Sequence, residues 1–461
     1  MAIATPILDK RMLMAFEGLC VIALGIALVM LPGAPRLGTL IGMSALGIAA
    51  VVAYRRMPSY ARAGEALLVL VITALAVLTV ANTHYYTIVS GGTDAAPVIV
   101  NPDLENNWND ALYYIGQHAE KGPDTHSFFA MVVAAFLWVG GVSVTLAMSV
   151  SVVCTVVTLL LTNAIAYRLS SSQRIATLSV LATACVCYLT AFGTVLIKEP
   201  MVIMAMAMAA YGICQWRKSS LAWVIAGAVF MTIARPNLNI AIASGVVICA
   251  FADSRASVRK TWLPRLLAIA IPALFLLIIN RAEYSPSVTY QMRGVEELEH
   301  FRAPWQAAFY NIVGDDLFYE PLKRILYMPV FIVTQFLIPL PWTYARDAIY
   351  GPAFTVAHFG FPWYYFGAIL IYYLCTFRRY ANRRLLAVTL FGIFCWLIPC
   401  FTFMGVISRY GLLAVPLMAP AVATVLATQM RRRSLQIWLV VFSLVLVLTL
   451  AKVYNLQMAA M

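Results

Sequence analysis

The chain has 461 residues, is 62% hydrophobic and 11% charged, and carries a formal net charge of +13. Soluble domains carry about 25% charged residues, so this composition excludes a soluble globular protein and puts most of the chain in lipid. The basic residues are scattered between apolar segments instead of forming one stripe, which excludes nucleic-acid binding as the reason for the charge.

Apolar segments of roughly 17–25 residues recur along the chain, each long enough to cross a hydrocarbon core of about 30 Å. Backbone groups in lipid need internal hydrogen-bond partners, so these segments are predicted to be helices. The sequence therefore predicts an all-α, polytopic integral membrane protein with about thirteen transmembrane helices. The predicted spans are 13–32, 37–54, 65–84, 145–167, 174–195, 199–216, 219–235, 237–252, 262–281, 356–377, 385–404, 410–429 and 435–453.

Short basic clusters between the spans decide the predicted orientation. With the N-terminus in the cytoplasm, the cytoplasmic loops hold 20 of the 32 Lys and Arg residues, and 15 of the 19 acidic residues lie outside. The positive-inside rule therefore predicts a cytoplasmic N-terminus and an extracytoplasmic C-terminus. Two further apolar stretches, 127–141 and 325–342, would put arginine clusters on the wrong side if they crossed fully. They are predicted to be re-entrant or to lie on the outer surface.

These spans predict two regions. An N-terminal two-span hairpin, 1–63, precedes a main membrane domain, 64–454. The main domain has two outer loops, 85–126 and 282–324, which are predicted to carry short helices.

Ionisable residues recur at the outer ends of the predicted spans. A charge near hydrocarbon costs a few kcal/mol unless it faces a cavity or a partner. Four separate parts of the sequence supply Asp110, the pair Lys198–Glu199, Arg235 and Arg409. One or two carboxylates with three cations suit a phosphate-bearing ligand and a proton that has to be removed.

Asp110 follows Asn109, which is predicted to be a helix N-cap, so Asp110 is expected in the first helical turn. Tyr113 and Tyr114 follow at helical spacing, on the side of Asp110. A carboxylate there can accept a proton from a hydroxyl nucleophile. The alternative is that Asp110 only stabilises the N-terminus of its helix.

The cations also have two interpretations each. Lys198 can hold a phosphate as a point charge while Glu199 orients it, or the two charges can satisfy each other at a hairpin tip. Arg235 and Arg409 match phosphate oxygens with a planar fork, or they extend to lipid headgroups.

The sequence indicates no certain cofactor. His84, His118 and His126, with the acids of the first outer loop, could form a divalent metal site, but their spacing fits no compact ligand motif, and no metal ligands are assigned. Neither a Gly-rich phosphate loop nor a nucleophile elbow occurs.

The order of these motifs resembles the GT-C superfamily of membrane glycosyltransferases, over about 65–430 of the chain. The motifs are Asp110-Ala-Leu-Tyr-Tyr, Ile197-Lys198-Glu199, Arg235-Pro236, Pro339-Leu340-Pro341-Trp342 and Ser408-Arg409-Tyr410-Gly411. Two extra spans precede the acidic loop, which departs from the usual arrangement of the family.

The resemblance implies transfer of a sugar from a polyprenyl-phosphate or polyprenyl-diphosphate carrier to a glycan or lipid acceptor. The reaction would take place on the extracytoplasmic face of a bacterial plasma (inner) membrane, in cell-envelope or exopolysaccharide synthesis. By the same resemblance Asp110 is the base toward the acceptor hydroxyl. Asp103 and Glu105 compete for that role, because no paired-acid motif singles out one carboxylate. The implied ligands of the carrier phosphate are Lys198, Arg235 and Arg409, and the implied supporting residues are Glu199, Tyr113, Tyr114 and Tyr410.

Three other functions remain open from the sequence. A repeat-unit polysaccharide polymerase or ligase would use the same lipid-linked substrates and make 282–324 a major part of its site. A transporter of lipid-linked sugars would be expected to show inverted repeats, which this sequence lacks. A structural membrane subunit would not need cations gathered on one face.

Overall fold

A computed structural model describes most of the chain. The described residues are 9–30, 37–99, 102–117, 128–186, 192–215, 220–235, 361–380, 382–401 and 412–459, with single positions within 238–246 and at 332 and 336. Regular structure in these residues is helical, without a strand. The predicted all-α class is confirmed.

The described residues form a bundle of packed helices. In chain order they are α1 (Lys10–Met30), α2 (Leu37–Arg55), α3 (Arg62–His84), α4 (Pro102–Tyr114), α5 (Phe129–Gly140), α6 (Val144–Ser170), α7 (Gln173–Cys185), α8 (Glu199–Gln215), α9 (Leu221–Ala234), α10 (Phe361–Thr376), α11 (Arg383–Phe401), α12 (Val415–Gln429) and α13 (Arg433–Ala459). A π-helical turn, Tyr85–Val89, extends α3, and a 3₁₀ turn, Leu412–Ala414, precedes α12.

Among the residues that the structure describes, five helical segments are long and apolar enough to cross a membrane. They are Lys10–Met30, Arg62–Val89, Val144–Ser170, Leu412–Gln429 and Arg433–Lys452. Shorter apolar helices include Glu199–Cys214 and Leu221–Ala234. The membrane character of the chain is thus supported in this coarser form, while about thirteen spans remains a prediction. The predicted span 262–281 and most of 237–252 lie outside the described residues.

One predicted span is shorter than expected. The segment 174–195 was expected to be a single helix, but α7 ends at Cys185, and residues 193–198 form a non-helical turn. Hydropathy could not show this break, because the turn is as buried and apolar as a helix. Its backbone carbonyls find side-chain partners on neighbouring helices instead of partners within a helix.

The two ambiguous stretches are described to different extents. Helix α5 has 12 residues, so it is about 18 Å long and too short to cross a core of about 30 Å. It packs between α4 and α6. Of 325–342 only Ile332 and Phe336 are described, and the Phe336 carbonyl accepts a hydrogen bond from Trp363 Nε1 at 3.0 Å.

Helix α6 is the central helix and defines the two ends of the bundle. It packs against α3, α5, α7 and α8, and its 27 residues extend over about 40 Å. Near its start Ser151 contacts the turn 193–198, and we call this the turn end. Near its finish the carbonyl of Leu169 accepts a hydrogen bond from Asn382 Nδ2 at 2.6 Å, and we call this the arginine end.

A buried carboxylate joins the first three helices at the arginine end. Glu65 is fully buried and accepts hydrogen bonds from Arg55 Nε at 2.6 Å and from the Tyr60 hydroxyl at 2.8 Å. Glu17 of α1 lies 3.8 Å from Arg55 Nη2. The N-terminal hairpin is therefore packed onto α3 through a charge cluster as well as through apolar contacts.

Candidate functional site

The turn 193–198 is held by side chains from three helices. The Thr194 carbonyl accepts from Asn82 Nδ2 at 3.0 Å, the Leu196 carbonyl from Asn107 Nδ2 at 3.2 Å, and the Ile197 carbonyl from Ser151 Oγ at 3.3 Å. Buried backbone carbonyls need such partners, because water cannot reach them. The turn that carries Lys198 and Glu199 is thus fixed from α3, α4 and α6.

The side chains that fix this turn belong to the candidate site and are not among the residues predicted from the sequence. Asn82 is fully buried, and Asn107 and Ser151 are 5% and 0% exposed. A signal did exist in the sequence: an amide such as Asn82 is rare within an apolar span and usually has a structural or functional partner.

Asp110 is buried in the middle of α4 and not at its start. Helix α4 begins at Pro102, so the prediction that Asn109 is an N-cap and Asp110 a first-turn residue is wrong. Proline is favoured at a first helical position, and acidic residues are favoured just after it, which explains the earlier start. The first-turn acids are Asp103 and Glu105, and both are exposed.

The burial of Asp110 therefore has another explanation than N-terminal stabilisation. Asp110 is only 3% exposed. It lies one helical turn after Asn107, whose side chain donates a hydrogen bond to the turn 193–198. In the sequence, Asp110 is three residues from Asn107 and Lys198 is two residues from Leu196, the two partners of this hydrogen bond. Tyr113 and Tyr114, in contrast, are 47% and 40% exposed and pack edge-to-face against each other, so they do not share the buried side of Asp110.

Glu199 and Arg235 form a buried ion pair. Arg235 Nη2 donates to Glu199 Oε1 at 3.0 Å, and the two side chains are 14% and 5% exposed, respectively. Glu199 begins α8 and Arg235 directly follows α9, so the pair closes one end of the α8–α9 hairpin. The Arg235 guanidinium is thus directed toward Glu199, and its side chain is largely buried.

A further loop acid has a structural role. Asp94 Oδ1 accepts from the backbone N–H and the hydroxyl of Thr145, at 3.4 Å and 3.2 Å. Its carbonyl accepts from Val144 N–H at 2.8 Å. A carboxylate at this position stabilises the N-terminus of α6.

The structure joins two of the predicted site residues directly, Glu199 and Arg235 in their ion pair. Asp110 and Lys198 are linked less directly, since Asn107, three residues before Asp110, bonds the carbonyl of Leu196, two residues before Lys198. Arg409 and Tyr410 lie outside the described residues, as do Pro236 and the loop 282–324.

The metal site proposed for the first outer loop is only partly described. Within the described residues, no group of three His, Cys, Asp or Glu side chains could hold a metal ion. His84 is described, whereas His118 and His126 lie outside that part of the chain.

Comparisons of the chain with known proteins found no match. No protein-family model matches the chain, and neither a curated protein nor a solved structure matches it.

Proposed function

We propose that the chain is a membrane glycosyltransferase of the GT-C type. It would move a sugar from a polyprenyl-phosphate or polyprenyl-diphosphate carrier to an acceptor hydroxyl at the turn end of the bundle. This end is extracytoplasmic in the orientation predicted from the basic loops.

One observation carries the proposal: the hydrogen bond from Asn107 to the Leu196 carbonyl. It joins the helix of Asp110 to the turn of Lys198 and Glu199, and Glu199 in turn holds Arg235. A buried carboxylate and two cations from three distant parts of the sequence are thereby gathered at one end of the bundle. Ionisable groups kept inside a membrane protein usually serve a ligand or a proton.

The expected reaction uses each group once. The acceptor oxygen attacks the anomeric carbon and loses its proton to Asp110. The bond between the anomeric carbon and the phosphate oxygen breaks, and its electron pair leaves with the carrier phosphate. Lys198 and Arg235 stabilise the phosphate charge in a site of low dielectric constant. A guanidinium has five N–H donors, so its bond to Glu199 orients Arg235 without exhausting its capacity.

The proposal is tested with purified full-length protein and polyprenyl-phosphate-linked sugars, by following release of the free carrier. Asp110→Asn is expected to reduce turnover by about 100-fold or more, the usual contribution of a general base. Asn109→Ala is the matched control, because this neighbouring side chain is exposed. Glu105→Gln and Asp103→Asn, compared with Asp110→Asn, show which of these three carboxylates is the general base.

The products distinguish the alternatives. A single-sugar transferase adds one residue to the acceptor, whereas a polymerase or ligase transfers whole repeat units. Accumulation of intact donor on the opposite side of a proteoliposome, without free carrier, would indicate a transporter. Full turnover in Asp110→Asn, Asp103→Asn and Glu105→Gln alike would contradict the assignment of a carboxylate base in α4.

A further inference from the structure

Nine exposed arginines lie on three turns at the arginine end, opposite the turn 193–198. They occur where α6 meets α7, where α10 meets α11, and where α12 meets α13. We call them the arginine surface: Arg168, Arg174, Arg378, Arg379, Arg383, Arg384, Arg431, Arg432 and Arg433.

Specific contacts hold the three turns together. Asn382 Nδ2 donates to the Leu169 carbonyl at 2.6 Å, which joins the second turn to the first. The hydroxyls of Tyr372 and Ser434 lie 2.8 Å apart, which joins the second turn to the third. Tyr380, between the arginine pairs of the second turn, stacks on Tyr373 with ring centroids 5.3 Å apart. The three turns that carry the nine arginines therefore lie beside one another at the arginine end.

The parts of the sequence that form this surface contain no acidic residue, and Glu65, the buried carboxylate at the same end of the bundle, is paired with Arg55. Neither 125–198 nor 348–461 contains an Asp or a Glu, and all nine arginines lie in these two stretches. An arginine cluster of this kind at a bilayer surface attracts anionic headgroups, and each added Arg or Lys near the membrane strengthens the attraction. The planar guanidinium also matches phosphate oxygens bidentately.

The side chain of one residue of the arginine surface, Arg168, is held in place by Tyr211. The Arg168 guanidinium lies 4.1 Å from the centroid of the Tyr211 ring, and its Nη2 donates to the Tyr211 hydroxyl at 2.7 Å. Stacking on an aromatic ring restricts the side chain and leaves its outer edge available to an anion. Phe377 and Met430, beside the arginines, are exposed apolar residues that suit the acyl boundary of a bilayer.

We propose that the arginine surface binds the phosphate headgroups of anionic phospholipids of the adjacent leaflet. The positive-inside rule explains why basic residues lie on this side of the membrane. It does not require side-chain contacts that join three distant turns of the chain. The lipid site lies at the opposite end of the bundle from Asp110 and Arg235, so it does not depend on the proposed transferase reaction.

The test measures binding of fluorescent phosphatidylglycerol and phosphatidylcholine to the purified full-length protein. The main variant is Arg378→Gln/Arg379→Gln/Arg383→Gln/Arg384→Gln. The matched control, Lys10→Gln/Arg11→Gln/Arg56→Gln/Arg62→Gln, removes four charges from the same membrane side but none from the arginine surface. We expect the main variant to bind phosphatidylglycerol at least about tenfold more weakly than the control does.

Two further measurements complete the test. Replacing the same four arginines by lysine keeps the charge and is expected to restore part of the affinity, while thermal unfolding checks that every variant is folded. Millimolar inorganic phosphate is expected to compete poorly, because a free ion lacks the bilayer contacts. Equal losses in the main variant and the control, equal binding of the two lipids, or full competition by phosphate would each overturn the proposal.

Discussion

The amide of Asn107 is the residue on which the geometry of the proposed site depends most directly. It bonds the Leu196 carbonyl at 3.2 Å and the Asp103 carbonyl at 2.7 Å. Asn107→Leu removes both bonds and leaves the buried Leu196 carbonyl without this donor, at a cost of about 1–3 kcal/mol. A lower midpoint of thermal unfolding in detergent is expected, with Asn109→Leu, on the exposed side of α4, as control. Equal midpoints for the two variants would show that this contact does not hold the turn.

Variants of the Glu199–Arg235 pair can test its role in stability separately from its role in sugar transfer. Arg235→Leu leaves the buried Glu199 carboxylate without this partner, and breaking such a pair typically costs about 3–5 kcal/mol. The double variant Glu199→Leu/Arg235→Leu removes both charges and is expected to recover most of that stability. If Arg235 binds the carrier phosphate, sugar transfer stays lost in the stable double variant. Recovery of transfer together with stability would make the pair purely structural.

At the scale of elements, two glycines set the distance between α8 and α9. A Cβ at Gly227 would lie 2.6 Å from the Ala205 carbonyl, and one at Gly212 would lie 2.7 Å from the Ser220 carbonyl. Helices in membranes approach this closely only where small residues face each other. The α8–α9 hairpin is therefore a closely packed unit that carries Glu199 on one helix and Arg235 at the end of the other.

Gly227→Leu tests the importance of this close approach. The added side chain has to push α9 away from Ala205, at a typical cost of about 1–3 kcal/mol for overpacking, and Arg235 should move away from Glu199. We expect lower thermal stability and weaker sugar transfer. Ala222→Leu, on the exposed side of α9, adds a similar volume without meeting α8. Equal behaviour of the two variants would contradict tight packing at Gly227.

Sequence reasoning was most successful for the elements themselves. Apolar length identified α1, α3, α6 and α13 to within a few residues, because lipid imposes helical structure on any long apolar segment. It failed at the turn 193–198, whose stability comes from Asn82, Asn107 and Ser151 on other helices. The burial of Asp110 was equally hidden, since it depends on how α4 packs and not on its local sequence.

At the scale of the whole molecule, charge is divided between the two ends of the bundle. The turn end holds Asp110 and the Glu199–Arg235 pair, while the nine residues of the arginine surface lie at the other end. Helix α6 spans the distance: from Ser151 to Arg168 it rises about 25 Å at 1.5 Å per residue. Chemistry on a lipid carrier at one end would therefore be physically separated from lipid binding at the other.

The division of charge makes a definite prediction about topology. Helix α13 starts at Arg433 and has 27 residues, enough to reach the opposite end over about 40 Å. With the arginine surface in the cytoplasm, alkaline phosphatase fused after Met461 is expected to be active, because that enzyme folds only outside the cytoplasm. A fusion after Met430, in the turn between α12 and α13, is the matched control and is expected to be inactive. The reverse pattern would put Asp110 and Arg235 on the cytoplasmic side, where nucleotide-activated sugars would replace lipid-linked donors as the substrates to test.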